Sequence, residues 1–577
     1  MFNRHFQQEL ANLRDLGEAF SKANPAVAPM LIGPSADPDV ERLLEGVAFL
    51  TALLREKLDD DFPEIIHELT RLIWPHYLRP IPSTTIVAFR PKPTVKEPVI
   101  IPAGIQISSV DVEETHCLFE TCYNIELHPL RILDASFEEA SGRSPAVKVL
   151  FELLGPKLSD WQPKALRLHL AGGYGEAADL YLLLRHYLKQ IVIRPEEGGN
   201  SLVLASEDLR PVGFSDDQQL IPYPGHSFPG YRVLQEYFVL PEKFLFLDLV
   251  GWERWKNPGE GTRFEIRFEL SSLPFQVPRI KKESFVLAAT PAVNVFPHDA
   301  DPIRLDHRSP EYQIRPSGTS GHQFQVYGLE SVIGFVQGTA EERVYMPFEV
   351  FNPKLKSAPV YHVKLRKSPI EGTYKTSLSV AYLKEAQGPS SETLSIRLFC
   401  TNGSLPESLQ VGDISVPTSS SPEFAEFKNI SPPTANVLPP LGGNLLWRLL
   451  SHLSLNYLSL GKAENLRALL ELYIFPETRD RTTIVANQRR IAGIDDVQAK
   501  ASNRLVSGIM MRGQEITVSL RQDHFASPGD LFLFGCILDT FMGGYASMNS
   551  YMQFSVDEVL KGDRYQWPAR VGDHLLI

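Results

Sequence analysis

Residues 74–91, WPHYLRPIPSTTIVAFRP, hold the change of texture on which the fold turns. Before them, apolar residues recur at spacings of three, four and seven, the mark of amphipathic helices; after them, short runs rich in Val, Ile and Phe are punctuated by Pro, Gly and Asn, the mark of strands. Pro75 ends the helical stretch, because the residue before a proline is pushed out of the α region. LRPIPS then reads as a linker and TTIVAFRP as the first strand.

Working upstream, Phe2, Phe6, Leu10, Leu13 and Phe20 predict a first helix. A second opens at Asp37-Pro38, where the carboxylate can cap free amides and proline supplies a helical φ. Val40, Leu43, Leu44, Val47, Leu50, Leu54 and Leu58 line it, and Phe49 and Leu53 widen the stripe beyond what one core contact needs. A third helix is expected from Pro63 through Ile65, Ile66, Leu69, Leu72 and Ile73.

Downstream, TTIVAFRP, EPVIIPAG, LRLHLAG, QIVIRP, RFEIRFEL and HQFQVYGLESVIGFVQG predict a strand-rich region with one helical insert, from about Glu176 to Lys189. The Ser/Pro-rich segment Val416–Gly443 reads as an extended linker that would let the C-terminal residues move as a unit. Beyond it come two helices, LLWRLLSHLSLNYLSL and ENLRALLELYIF, a strand EITVSLR, a helix over LFLFGCILDTFMG and a strand at Tyr551–Val556. The expected class is α+β and multidomain: a helical region 1–82, a β-rich region 83–415 long enough for two subdomains, the linker 416–443, and an α+β domain 444–577.

A chain of 577 residues exceeds the roughly 250 to 300 at which a single core stops growing. Its 43% apolar and 22% charged residues fit a folded chain, and a net charge of -12 leaves no cationic surplus for a nucleic-acid backbone. The start, MFNRHFQQELANLRDLGEAF, lacks the apolar run of a secretory signal. The longest apolar stretch, Leu531 to Leu538, falls far short of the roughly 18 residues that span a bilayer. Four scattered cysteines suggest neither a disulfide framework nor a ligand pair, and a reducing cytosol fits them.

Chemical motifs are sparse. His67-Glu68 is followed by Leu-Thr-Arg, so the metalloprotease pattern is broken, and GHSFPG (Gly225–Gly230) spaces its second glycine wrongly for a nucleophile elbow. GGYG (Gly172–Gly175) could present amides to a phosphate but reads better as a β-to-α turn. His298, Asp299, Asp301, Asp306 and His307 are residue types that could ligate a metal, as are Asp59, Asp60 and Asp61; turn capping and helix-dipole complementarity explain both groups without one. No catalytic, metal or cofactor residue is therefore expected.

Several segments together resemble the TssF (VasA/ImpG) family of type VI secretion baseplate proteins: FQQELANLRDLGEAFSKANPAVAPML, DPDVERLLEGVAFLTALLREKLDDDFPEIIHEL and WPHYLRPIPS near the start; PVGFSDDQQLIPYPGHSFPGYRVLQEYFVLPEKFLFLDL and TPAVNVFPHDADPIRLDHRSPEY in the centre; LFCTNGSLPESL, LWRLLSHLSLNYLSL, RGQEITVSL and FLFGCILDTFMGGYASMNSYMQFSV near the end. The resemblance implies a cytoplasmic wedge subunit docked at the inner-membrane secretion complex through other subunits. Its implied partners are TssG, a second TssF copy, TssK, TssE and the VgrG spike around which sheath and tube assembly begins. It implies no catalysis and no cofactor, and the composition adds no nucleic acid and no direct membrane insertion. In that setting Phe6, Leu10, Leu13, Phe20, Val47, Phe49, Leu53 and Leu54 are the candidate partner-binding residues of an inter-subunit helical bundle. An ordinary three-helix domain within one chain is the equal alternative. Two other functions compete: a wedge protein of a phage tail or extracellular contractile injection system, and a cell-wall-acting hydrolase of a tail-like apparatus.

Overall fold

The computed structural model describes residues 2–23, 38–39, 41–53, 69–70, 75–139, 144–221, 228–318, 323–338, 341–348, 359–367, 374–382, 391–439, 461–475, 480–506, 509–546 and 550–572. The chain divides into two compact units, one of residues 1–78 with 440–450 and one of residues 79–439 with 451–577. In the first, the helix Phe2–Ala23 and a helical stretch over 41–53 are described. The expected three-helix bundle is not what the structure presents; most of the third helix, and Leu54 and Leu58 of the second, lie outside the described residues.

The second unit is built on antiparallel sheets. TTIVAFRP is the strand Thr84–Pro91, lying between Ala289–Val293 and Ala425–Asn429 in a six-stranded sheet. Its apolar residues run continuously because both faces are covered. Ile86 and Ala88 pack with Tyr123 and Phe246 on one side, and Val87 and Phe89 with Phe119 and Phe427 on the other. RFEIRFEL, the strand Arg263–Leu270 of a five-stranded sheet, alternates instead. Phe264, Ile266, Phe268 and Leu270 are buried, while Arg263, Glu265 and Arg267 make cross-strand ion pairs with Glu152 (2.9 Å), Lys148 (2.8 Å) and Glu138 (2.5 Å). A four-stranded sheet carries Leu166–Leu170, and an eight-stranded one holds a separate core around Leu305, Val332, Leu378 and Leu398.

Helices differ from expectation in three places. The insert runs Tyr174–His186, and Leu188 and Lys189 already belong to the next strand. A second helix, Pro229–Val239, follows in the region read as strands, and Arg481–Ala492 is a third that the sequence did not reveal. The last is notable because its opening, RTTIV, has β-branched residues with low helix propensity. Asp480 overrides that preference by accepting from the Thr482 and Thr483 amides at 2.9 and 3.3 Å.

The Ser/Pro-rich segment is not an extended linker over residues 416–439. Val416–Pro417 and Ala425–Asn429 are strands of the six-stranded sheet, and Ile81 bridges to Val437. Long-range side-chain bonds hold the segment in place: its own Thr418 hydroxyl donates to the Gln106 carbonyl (2.6 Å), while Thr85 and Ser83 donate to its Ser431 (2.7 Å) and Thr434 (2.6 Å) carbonyls. Residues 440–443 lie outside the described residues.

Nor is 444–577 a separate domain in the described residues. The strands Ile509–Leu520 and Ser550–Glu558 are parallel and are joined by a crossover through the helix Pro528–Gly543. That helix, LFLFGCILDTFM in its body, is apolar on all sides because it is buried on all sides, packing against the Tyr174 and Pro229 helices as well as its own sheet. At Gly529 the approach is so close that a Cβ would stand 2.1 Å from the Ala178 carbonyl. Gly529→Ala should therefore force the two helices apart and cost about 1 to 3 kcal/mol. Urea unfolding of the purified variant measures this, and an unchanged midpoint would show that the seam yields freely. Ser527 starts the helix by accepting from the Asp530 amide, and its own hydroxyl donates to the Gly175 carbonyl of the neighbouring helix at 3.2 Å. The expected repositioning of the C-terminal part on a linker finds no support in this joint.

Candidate interaction surfaces

The residues with chemical potential are occupied structurally. Gly172, at φ +121°, turns the chain from the strand Leu166–Leu170 into the Tyr174 helix, and Tyr174 then donates to Asp530 at 2.7 Å. The His298 ring lies 2.9 Å from the Ser317 carbonyl, and Asp306 accepts from the Arg308 amide (3.1 Å) and the Tyr312 hydroxyl (3.0 Å), so these residues close a turn. Among the described residues no group of three or more His, Cys, Asp or Glu could share a metal ion. Asp59–Asp61 and Gly225–Ser227 lie outside them.

One buried ionic cluster has the perturbed chemistry that elsewhere marks catalysis. Glu236 of the Pro229 helix accepts from Lys243, from Arg232 at 3.2 Å and from the Leu220 amide at 2.6 Å. Burial pushes the Lys243 ammonium down to about 8, opposed by the Glu236 carboxylate. Lys243 and Arg232 are nevertheless almost wholly enclosed, at 0% and 2% exposure, so no substrate meets them. Arg232 also donates to the carbonyls of Phe214 and Ser215, at 3.0 and 3.1 Å. The cluster ties the helix to the loops beneath it.

Among the described residues of the first unit, several large apolar side chains are exposed. Along residues 41–53 Ala48 and Ala52 are buried and Leu44 is half-buried, so the inner face uses small side chains. The outer face carries large ones: Leu43 and Leu50 are 69% and 62% exposed, with Val47 between them at helical spacing and Phe49 and Leu53 beside it, all exposed. On the helix Phe2–Ala23, Leu10 is buried and Phe6 and Leu13 are half-buried, whereas Leu16 and Phe20 are 65% and 55% exposed. The two helical stretches are bridged by Arg14 and Glu41 at 2.6 Å.

The eight residues singled out from sequence thus divide. Phe6, Leu10 and Leu13 turn inward to differing degrees; Phe20, Val47, Phe49 and Leu53 turn outward; Leu54 lies outside the described residues. Leu16 was missed, although Leu13, Leu16 and Phe20 fall at i, i+3 and i+7. Leu43 and Leu50, read as part of the stripe, are its most exposed members. A run of large apolar side chains in water within residues 41–53 marks a surface made to be covered.

No helix among the described residues is long and apolar enough to cross a membrane. The family model described as "Type VI secretion system, TssF" matches residues 1–574. The chain is 29% identical to the type VI secretion system component TssF1 of Pseudomonas aeruginosa, covering 98% of each chain. Among solved structures it is similar to a chain of the TssK-TssF-TssG baseplate subcomplex determined by cryo-electron microscopy, with a TM-score of 0.79, 31% identity and coverage of 92% of this chain and 98% of that one. It is also similar to a chain of the baseplate complex from the type VI secretion system, with a TM-score of 0.65, 25% identity and full coverage of both. The family model covers nearly the whole length, and the chain belongs to the TssF family of the type VI secretion system.

Proposed function

We propose that this chain is a non-catalytic structural subunit of a type VI secretion baseplate wedge, working in the cytoplasm and joined to TssG-type and TssK-type partners. The observation that carries the reading is its likeness, over 92% of its length, to a chain of a TssK-TssF-TssG subcomplex. The first unit supplies a means. Burying the exposed parts of Leu43, Val47, Leu50 and Leu53 against a partner helix contributes on the order of 1 kcal/mol each. A second TssF copy in each wedge, contacts with TssE, a place around the VgrG spike, docking at the inner-membrane secretion complex and a role in starting the sheath and tube belong to the same proposal and rest on family membership.

Co-expression with a TssG-type and a TssK-type protein, followed by size exclusion, tests it. The chain should elute with both partners as one stable complex. A lone monomer that ignores them, and that clears peptidoglycan or turns over another substrate until one polar side chain is changed, would overturn the reading in favour of a hydrolase.

A further inference from the structure

Three sheets of the second unit end at one cleft. Phe285–Leu287 ends the four-stranded sheet, Leu130–Glu138 the five-stranded sheet and Ala425–Asn429 the six-stranded sheet. Residues of all three edges line a cavity of about 520 Å³, floored by apolar side chains such as Phe89, Leu166 and Phe285. A strand at the end of a sheet offers backbone donors and acceptors to a further extended chain.

The charge around this cleft differs from that on the neighbouring faces. On the five-stranded sheet Arg131, Arg263, Lys148 and Arg267 are matched by Glu152, Glu265 and Glu138. Arg167, at the cleft wall, is held by both oxygens of Asp248 at 2.7 and 2.8 Å. Arg90, Lys282 and Lys428 also line the cleft, are exposed, and have no side-chain ion-pair partner among the described residues. Arg90 stands opposite Glu426 in the strand register, yet no ion pair forms between them. Three unmatched cations, on the strands Thr84–Pro91 and Ala425–Asn429 and in the turn before Phe285, surround the opening of a chain whose net charge is -12.

We propose that this cleft is a docking groove for an extended acidic segment of a partner protein. A strand laid along a sheet edge points alternate side chains to one side, roughly 6 to 7 Å apart, a spacing that lets successive carboxylates meet cations spread around a rim. The unmatched cations also offset the repulsion an acidic segment meets on approaching an acidic protein. A nucleic acid fits less well, because it has no peptide groups to pair with the backbone donors and acceptors of the three sheet edges. The proposal stands apart from the wedge reading, which concerns the helical face of the first unit, so either can fail alone.

The test uses the full chain and a fluorescein-labelled ten-residue peptide of alternating Glu and Val, followed by fluorescence anisotropy. Saturable binding that weakens as salt is raised is expected. R90E/K282E/K428E should weaken it at least tenfold, while the matched surface variant K189E/K256E/K500E should stay within twofold of the parent. Circular dichroism checks that both remain folded, and K282Q/K428Q, which only neutralises two exposed side chains, serves if the triple variant does not. Absence of binding, equal weakening by both triple variants, or equal affinity for a ten-nucleotide oligothymidylate would each overturn the proposal.

Discussion

Asp530→Ala should unfold the helical seam of the second unit, lowering stability by about 3 to 5 kcal/mol. Asp530 is 1% exposed and one of its oxygens accepts from Tyr174 and Tyr237, at 2.7 and 3.2 Å. The other accepts from Arg490 and the Ala526 amide, both at 3.0 Å. The Arg490 guanidinium lies over both tyrosine rings, at 5.2 and 5.6 Å, and donates to Asn487 at 2.7 Å. Asn487 in turn donates to the Phe238 carbonyl at 3.1 Å, so one carboxylate joins four helices. Removing it strands a buried guanidinium and two buried hydroxyls, and that penalty exceeds the modest net worth of the bonds themselves. It is a large share of the roughly 5 to 15 kcal/mol by which folded domains are ordinarily stable.

The companion variant isolates the cause. In D530L/R490M both charges go together, and most of the loss should be recovered because no uncompensated ion remains. Urea unfolding of parent, single and double variants measures both effects. If Asp530→Ala costs less than about 1 kcal/mol, or if the double variant is no better than the single one, the carboxylate is not what holds the seam.

The second large effect concerns assembly. L43D/V47D/L50D places three carboxylates along the exposed apolar face of residues 41–53. Burying even one uncompensated charge in an apolar interface is strongly unfavourable, and three should abolish co-elution with a TssG-type partner. Because these side chains are already exposed, the urea midpoint of the second unit should not move. Loss of the complex with an unchanged midpoint supports the helical face as the joint. A complex that persists would place the joint elsewhere.

How much of this was legible depends on how local the determining physics is. RFEIRFEL alternates because one face of its sheet meets solvent, and TTIVAF runs on because neither does; both patterns are written residue by residue. The Pro229 helix was obscured because its Tyr231, Leu234 and Tyr237 spacing sits directly behind the turn-rich PYPGHSFPG. The Arg481 helix was hidden more deeply, since RTTIV prefers strand and only the Asp480 cap and the burial of Asn487, Arg490 and Ile491 decide otherwise.

By itself the sequence determined the α+β class, the strand-rich character of the middle region, the apolar Pro528 helix and the resemblance carried by blocks from end to end. These arise from short-range pattern, where each residue's neighbours along the chain set its preference. Tertiary structure alone decided that Val416–Pro417 and Ala425–Asn429, in the Ser/Pro-rich stretch, join the six-stranded sheet, because side-chain hydroxyls tie that stretch to residues about 310 to 350 positions away. It likewise decided that the C-terminal part is clasped to the middle through Asp530, and which side of each N-terminal helix faces outward. Those outcomes depend on partners distant in sequence, whose positions no local periodicity encodes.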